Sequence, residues 1–176
     1  MNALKWPVTV VLVVLALVLQ VSLFPHFAID GVVPNLCLLV VVGAALTRGA
    51  QFAAVLGFVA GVALDLAPPA DHVAGRWALA LVVVGYVAGR VRQDVRPTAT
   101  AVVATVAAVV TVAACSFVGT SVFALSGMLL HDPAIPVGEA LAVIPVAVVY
   151  DVLVTPFVLP LVMRLFRHLQ PHQVAY

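Results

Sequence analysis

Residues 76–96 read RWALALVVVGYVAGRVRQDVR, and the way this stretch is parsed decides how many helices the chain contains. Trp77 to Gly89 carries no charge. At 1.5 Å per residue that run reaches only about 20 Å as a helix, short of the ~30 Å hydrocarbon layer of a bilayer. It crosses only if Val73 to Arg76 join it and Arg76 and Arg90 snorkel outward, which predicts a helix over 73–90. Arg90, Arg92 and Arg96, with Asp94 between them, then form a basic loop. The default reading of that loop faces lipid headgroups; the alternative is a docking surface for a cytosolic partner.

The rest of the chain repeats this pattern more plainly. Of 176 residues, 65% are hydrophobic and 9% charged, with a mean hydropathy of +1.25. Soluble domains are about half apolar and about a quarter charged, and one of this size keeps roughly a third of its unfolded surface in water. The composition excludes a soluble globular domain and a disordered chain. With 8 Lys+Arg against 7 Asp+Glu there is no basic field to hold nucleic-acid phosphates. The fold class is therefore all-α, a polytopic membrane protein forming a single integral-membrane domain over residues 1–176. Its six transmembrane helices are predicted near 7–24, 32–47, 50–65, 73–90, 98–125 and 140–163. The run from Thr98 to Leu130 is too long for one span and too short for two, so a break is expected at Ser126-Gly127, followed by an interfacial segment. Pro7 suits a first helical turn, and the first run is read as an uncleaved helix, not a signal peptide.

Charge tests the count. With the N-terminus inside, Lys5, Arg48, Arg90, Arg92, Arg96, Arg164 and Arg167 fall on the inner side and Arg76 alone on the outer. That asymmetry is what the positive-inside rule requires of short loops, and it predicts both termini in the cytoplasm. Asp30, Asp71, Asp132 and Glu139 fall outside, where acids carry little topological weight. A β-barrel would show polar-apolar alternation over about ten positions, and these runs are apolar on every face. Cys37 and Cys115 lie inside apolar runs and read as small buried side chains.

Four features stand out within the runs. Asp151 sits near the middle of the sixth, where an acid costs ~2.5–3.5 kcal/mol on the insertion scale. One reading makes it a partner contact, proton site or ligand group. The other makes it a hydrogen-bonded acid that joins helices, with Tyr150 beside it and Thr155 one turn on. Pro145, Pro156 and Pro160 share that helix and predict a kink; a kinked helix lines a cavity or simply packs in a bundle. Ala53, Gly57, Gly61 and Asp65 follow at four-residue steps, a small face that lets another helix approach closely and that ends in an acid. Asp65 either ends the helix or anchors the loop down to Gly75 and Arg76. Gly85 and Gly89 share the spacing, and chance is the default explanation for them. No nucleophile elbow, P-loop, paired acids or metal-ligand spacing is found, so no catalytic, cofactor or metal residues are expected. His168 and His172 flank Pro171 in a tail and make a poor metal pair. An inverted three-plus-three repeat is rejected because Asp65 and Asp151 differ in depth.

Gly57-Phe58-Val59-Ala60-Gly61-Val62-Ala63-Leu64-Asp65-Leu66, then Gly75, then the apolar run to Gly85-Tyr86-Val87-Ala88-Gly89, resembles the central motif of the rod shape-determining protein MreD family. The Tyr150-Asp151 to Pro156 segment also resembles that family, which often carries Asn where Asp151 stands. The layout is similar over the whole chain, with the specific residues confined to 57–89. The resemblance implies a non-enzymatic component of the cell-elongation machinery in the bacterial inner membrane. It implies work with the periplasmic coiled-coil protein MreC and, through it, with the glycosyltransferase RodA, a penicillin-binding transpeptidase and the actin-like MreB. It also implies a six-helix fold similar to the substrate-binding subunits of energy-coupling-factor vitamin transporters. Gly57, Gly61 and Asp65 match the motif; with Gly75, Asp151 and Pro156 they are the helix-packing or partner-binding candidates. A vitamin-binding transporter subunit is the alternative, although such a pocket needs converging polar groups. Outside Trp77, Tyr86, Tyr150 and Asp151 the runs offer few. An enzyme acting on a lipid-linked substrate would need interfacial acid pairs or His/Arg clusters, which are missing.

Overall fold

The computed structural model describes residues 5–29, 31–68, 73–94, 101–130 and 137–169. Asp30, Asp71, Arg96, Thr98, Asp132, Pro171 and His172, named above, lie outside them. Six α-helices run in chain order: α1 Lys5–Ser22, α2 Leu36–Arg48, α3 Ala50–Asp65, α4 Arg76–Asp94, α5 Ala101–Leu129 and α6 Val137–His168. One 3-10 turn, Phe24–Phe27, follows α1. Among the described residues there is no strand, only an isolated bridge between Ile29 and Val32.

α2 is the centre. It touches all five other α-helices and is buried from Leu36 through Ala45. Its residues permit this: Leu-Cys-Leu-Leu-Val-Val-Val-Gly-Ala-Ala is apolar on every face, so neighbours can pack all round it. The close approach of α6 uses Gly43, where a Cβ would overlap Val162. α2 is about 20 Å long, and the residues before it, through Pro34 and Asn35, enter the core as non-helical buried chain. Irregular backbone at such depth is tolerated only where protein supplies the missing hydrogen-bond partners.

The outward surface is as apolar as the core. Val149, Leu153, Phe157 and Leu161 recur every four residues along α6 and are all exposed, Phe157 by 80%. Val102, Val103, Val106 and Val110 line α5 in the same way. Val102–Leu129 and Ala142–His168 are long and apolar enough to cross a membrane; Trp6–Ser22, Leu36–Arg48 and Ala50–Asp65 are shorter apolar helices.

Packing fixes which helix ends meet. Trp6, Phe52 and Phe166 form a chain of ring contacts joining the starts of α1 and α3 to the end of α6. Arg48 lies over Phe52, 4.4 Å from the ring centre. Gly89, near the end of α4, packs on Ala50 at the start of α3. Arg48, Arg90, Arg164 and Arg167 therefore share one end of the bundle.

Two expectations are corrected. α5 does not break at Ser126-Gly127 but continues to Leu129. The Ser126 hydroxyl donates to the Phe123 carbonyl inside the helix, and Gly127 is small because the Arg76 guanidinium lies where its Cβ would be. Arg76 does not snorkel outward. It is 4% exposed and turned into the protein.

Candidate functional site

Most of the polar side chains of the interior gather at two carboxylates, and each sits at the start of a helix. Helix N-termini leave unpaired N–H groups and a partial positive charge, and an acid satisfies both.

Asp65 ends α3 and is 4% exposed. Its Oδ2 accepts from Gly75 N at 2.9 Å and Ala78 N at 3.1 Å, and its Oδ1 accepts from Trp77 N at 3.1 Å. One carboxylate thus receives three backbone N–H groups around the first turn of α4. Gly75 supplies the turn with φ +100°, a left-handed conformation that favours glycine. Its carbonyl accepts from Leu79 N, starting the helix. Beyond the cap, α3 and α4 lie in backbone contact. A Cβ on Gly57 would overlap the Leu81 carbonyl, and one on Gly61 the Ala78 backbone. In return, a Cβ on Gly85 would meet the Ala53 backbone and one on Gly89 would meet Ala50. Chance does not account for the Gly85/Gly89 spacing: those two glycines are the reciprocal half of the same seam.

Arg76 extends this unit to α5. Its Nη2 and Nε donate to the Phe123 carbonyl at 2.9 and 3.3 Å, and its guanidinium lies over the Phe123 ring, 3.9 Å from the centre. Trp77 stacks on the same ring with centroids 4.4 Å apart. A planar, delocalised cation tolerates this position because carbonyl and ring replace water.

Asp151 is 2% exposed within α6. Its Oδ1 accepts from Asn35 N at 2.7 Å and its Oδ2 from the Ser116 hydroxyl at 2.6 Å. It therefore joins α6 to α5 and to the residue that caps α2. The Asn35 side-chain oxygen accepts from Leu38 N at 2.9 Å, and the Gln20 side-chain oxygen of α1 accepts from Cys37 N at 3.2 Å. Two side chains from other helices, Asp151 and Gln20, together with the capping side chain of Asn35, thus satisfy the buried start of α2. The Thr155 hydroxyl donates to the Asp151 carbonyl at 2.6 Å, and the Tyr150 hydroxyl donates to the Phe27 carbonyl.

The predicted positions fall into three places. Gly57, Gly61, Asp65 and Gly75 form the α3–α4 hairpin; Asp151 lies at the α2–α5–α6 junction; exposed Pro156 lines a groove between α5 and α6. Asn35, Ser116, Gln20 and the inward role of Arg76 escaped sequence reasoning. Asn35 carried a signal, since a capping residue just before an apolar run marks a helix start; Ser116 carried none. Among the described residues no three His, Cys, Asp or Glu side chains cluster as a metal site.

These features define a class: an all-helical packing protein whose buried polar groups hold helix ends and whose outer faces are apolar. The family model described as rod shape-determining protein MreD matches residues 2–169, and the chain belongs to that family. No curated protein and no solved structure matches it. Membership gives the chain a part in rod shape determination, as a membrane-associated member of the shape-determining complex. The family is not known as an enzyme, and it does not favour the vitamin-binding alternative.

Proposed function

We propose that this protein is a non-catalytic, multi-pass component of the bacterial inner membrane that binds a membrane-anchored MreC-like protein and helps organise peptidoglycan synthesis for cell elongation. Through that partner it works with a RodA-type glycosyltransferase, a penicillin-binding transpeptidase and MreB. All six helices cross the membrane, both termini face the cytoplasm, and the arrangement is similar to energy-coupling-factor substrate-binding subunits. The observation that carries the reading is the family match over residues 2–169. The shared end of Arg48, Arg90, Arg164 and Arg167 supports the orientation, because short basic segments stay on the cytoplasmic side. The shortness of α2 is compatible with a span, because its buried start meets Asp151 and Gln20 instead of lipid.

In this reading Gly57, Gly61, Asp65 and Gly75 make the α3–α4 hairpin a rigid unit that a partner meets preformed. Asp151 pins the central helix, and the prolines of α6 shape its outer face. Depletion in the native cell tests the role: rod cells should widen and round, and a tagged copy should retain a single-span coiled-coil partner through detergent purification. Unchanged cell width and no retained partner would overturn it. Cysteine labelling from outside intact cells tests the orientation separately: residues 90–96 should stay unlabelled.

A further inference from the structure

A groove of about 520 Å³ runs between the first half of α5 and the last half of α6. The sequence explains why it stays open. Ala104 and Ala108 are four residues apart on α5, and Pro156 and Pro160 are four apart on α6; neither pair has a side chain long enough to fill the gap. One end of the groove is different. Arg164, Arg167 and His168 line it and are exposed. Neither residues 97–131 nor residues 152–176 contain an acid to pair with them.

From Pro156 to His168 the groove extends about 18 Å along α6 at 1.5 Å per residue. That is close to one leaflet of a ~30 Å hydrocarbon core plus its headgroup boundary. A flexible hydrocarbon chain suits an apolar slot of this length. Basic pockets between membrane helices at the cytoplasmic face suit anionic headgroups.

We propose that this groove is a binding site for an anionic phospholipid of the inner leaflet, with one acyl chain between α5 and α6 and the phosphate held by Arg164, Arg167 and His168. The proposal rests on the membrane orientation given above and not on any protein partner. The test is native mass spectrometry of the full-length protein in detergent, titrated with phosphatidylglycerol, phosphatidylcholine or inorganic phosphate. Phosphatidylglycerol should bind at least tenfold more tightly than phosphatidylcholine, and millimolar inorganic phosphate should not displace it. A basic residue at an anionic lipid surface is worth about a fivefold change in binding. The exposed pair R164Q/R167Q should therefore weaken phosphatidylglycerol by ~25-fold while leaving the thermal midpoint unchanged. A108F, which fills the slot, should weaken both lipids. Equal affinity for the two lipids, displacement by inorganic phosphate alone, wild-type binding by both variants, or a second copy of the chain that excludes lipid would each overturn the site. Outside labelling of residues 90–96 would instead overturn the orientation, so the two failures are distinguishable.

Discussion

Asp65 and Asp151 solve one problem in two ways. Each is a buried acid that satisfies backbone N–H groups at the start of a helix, α4 in one case and α2 in the other. Asp65 works across a hairpin, on residues ten to thirteen positions ahead, and both its oxygens face N–H groups that can only donate. Asp151 reaches Asn35 across 116 residues, and its second oxygen faces a hydroxyl that can rotate. The first is a local device inside a rigid two-helix unit. The second closes the bundle and has chemical slack. Substitutions should separate them.

The largest effect should come from the hairpin seam. Gly61→Leu places a side chain where the Ala78 backbone already lies, and backbone cannot move aside as a side-chain tip can. The cost should reach or exceed the ~3 kcal/mol top of the usual overpacking range. Membrane-fraction yield and the unfolding midpoint in mixed detergent would both fall sharply. A variant with a wild-type midpoint would show that α3 and α4 separate freely.

Asp65→Asn should cost about 1–3 kcal/mol. An amide offers one acceptor in place of two, and its NH2 would confront Gly75 N and Ala78 N or Trp77 N, all donors. The midpoint should drop, and amide exchange at residues 75–78 should accelerate. Unchanged protection there would mean that α4 starts without the cap.

Arg76→Lys tests the link from this unit to α5. An ammonium keeps the charge but loses the planar contact with Phe123 and the second donor to its carbonyl. The expected loss is about 1–2 kcal/mol. A smaller change should follow Gly75→Ala. Among the described residues nothing lies within 4 Å of where a Cβ on Gly75 would be, so the left-handed φ is what is penalised, by about 1 kcal/mol. Equal losses for the two would mean that the Phe123 contact contributes no more than the turn.

The same contrast explains what the amino-acid pattern disclosed. The hairpin was partly legible because its parts are close in sequence: the four-residue steps from Ala53 to Asp65, then Gly75. Gly85 and Gly89, assigned to chance by their spacing alone, gain their meaning only from the backbone of α3 that lies against them. The end of the second predicted helix, 32–47, was legible too: α2 stops at Arg48, before Gly49 with φ 93°. The start of α2 was less legible. Val32 and Val33 are apolar, and apolarity alone does not distinguish buried extended chain from helix. Asp151 was conspicuous, but its partners were not, because nothing local ties it to Asn35 or Ser116. Ser126-Gly127 misled for a related reason. Read locally the pair is a breaker; in space, Gly127 makes room for an arginine from α4.

Asp151→Asn should have the smallest effect, under ~1 kcal/mol. The amide oxygen can keep the bond from Asn35 N. The amide NH2 can donate to the Ser116 oxygen once that hydroxyl turns toward the carbonyl one turn back in α5, as buried serines in helices do. Both partners then remain satisfied with the charge removed. The resemblance noted above, in which Asn often stands at this position, agrees with that chemistry. Thermal unfolding of D151N beside D65N is the measurement, and D151N should lie nearer the wild type by about 1 kcal/mol or more. If the two fall equally, Asp151 is needed for its negative charge at the start of α2, and the helix dipole outweighs the count of acceptors.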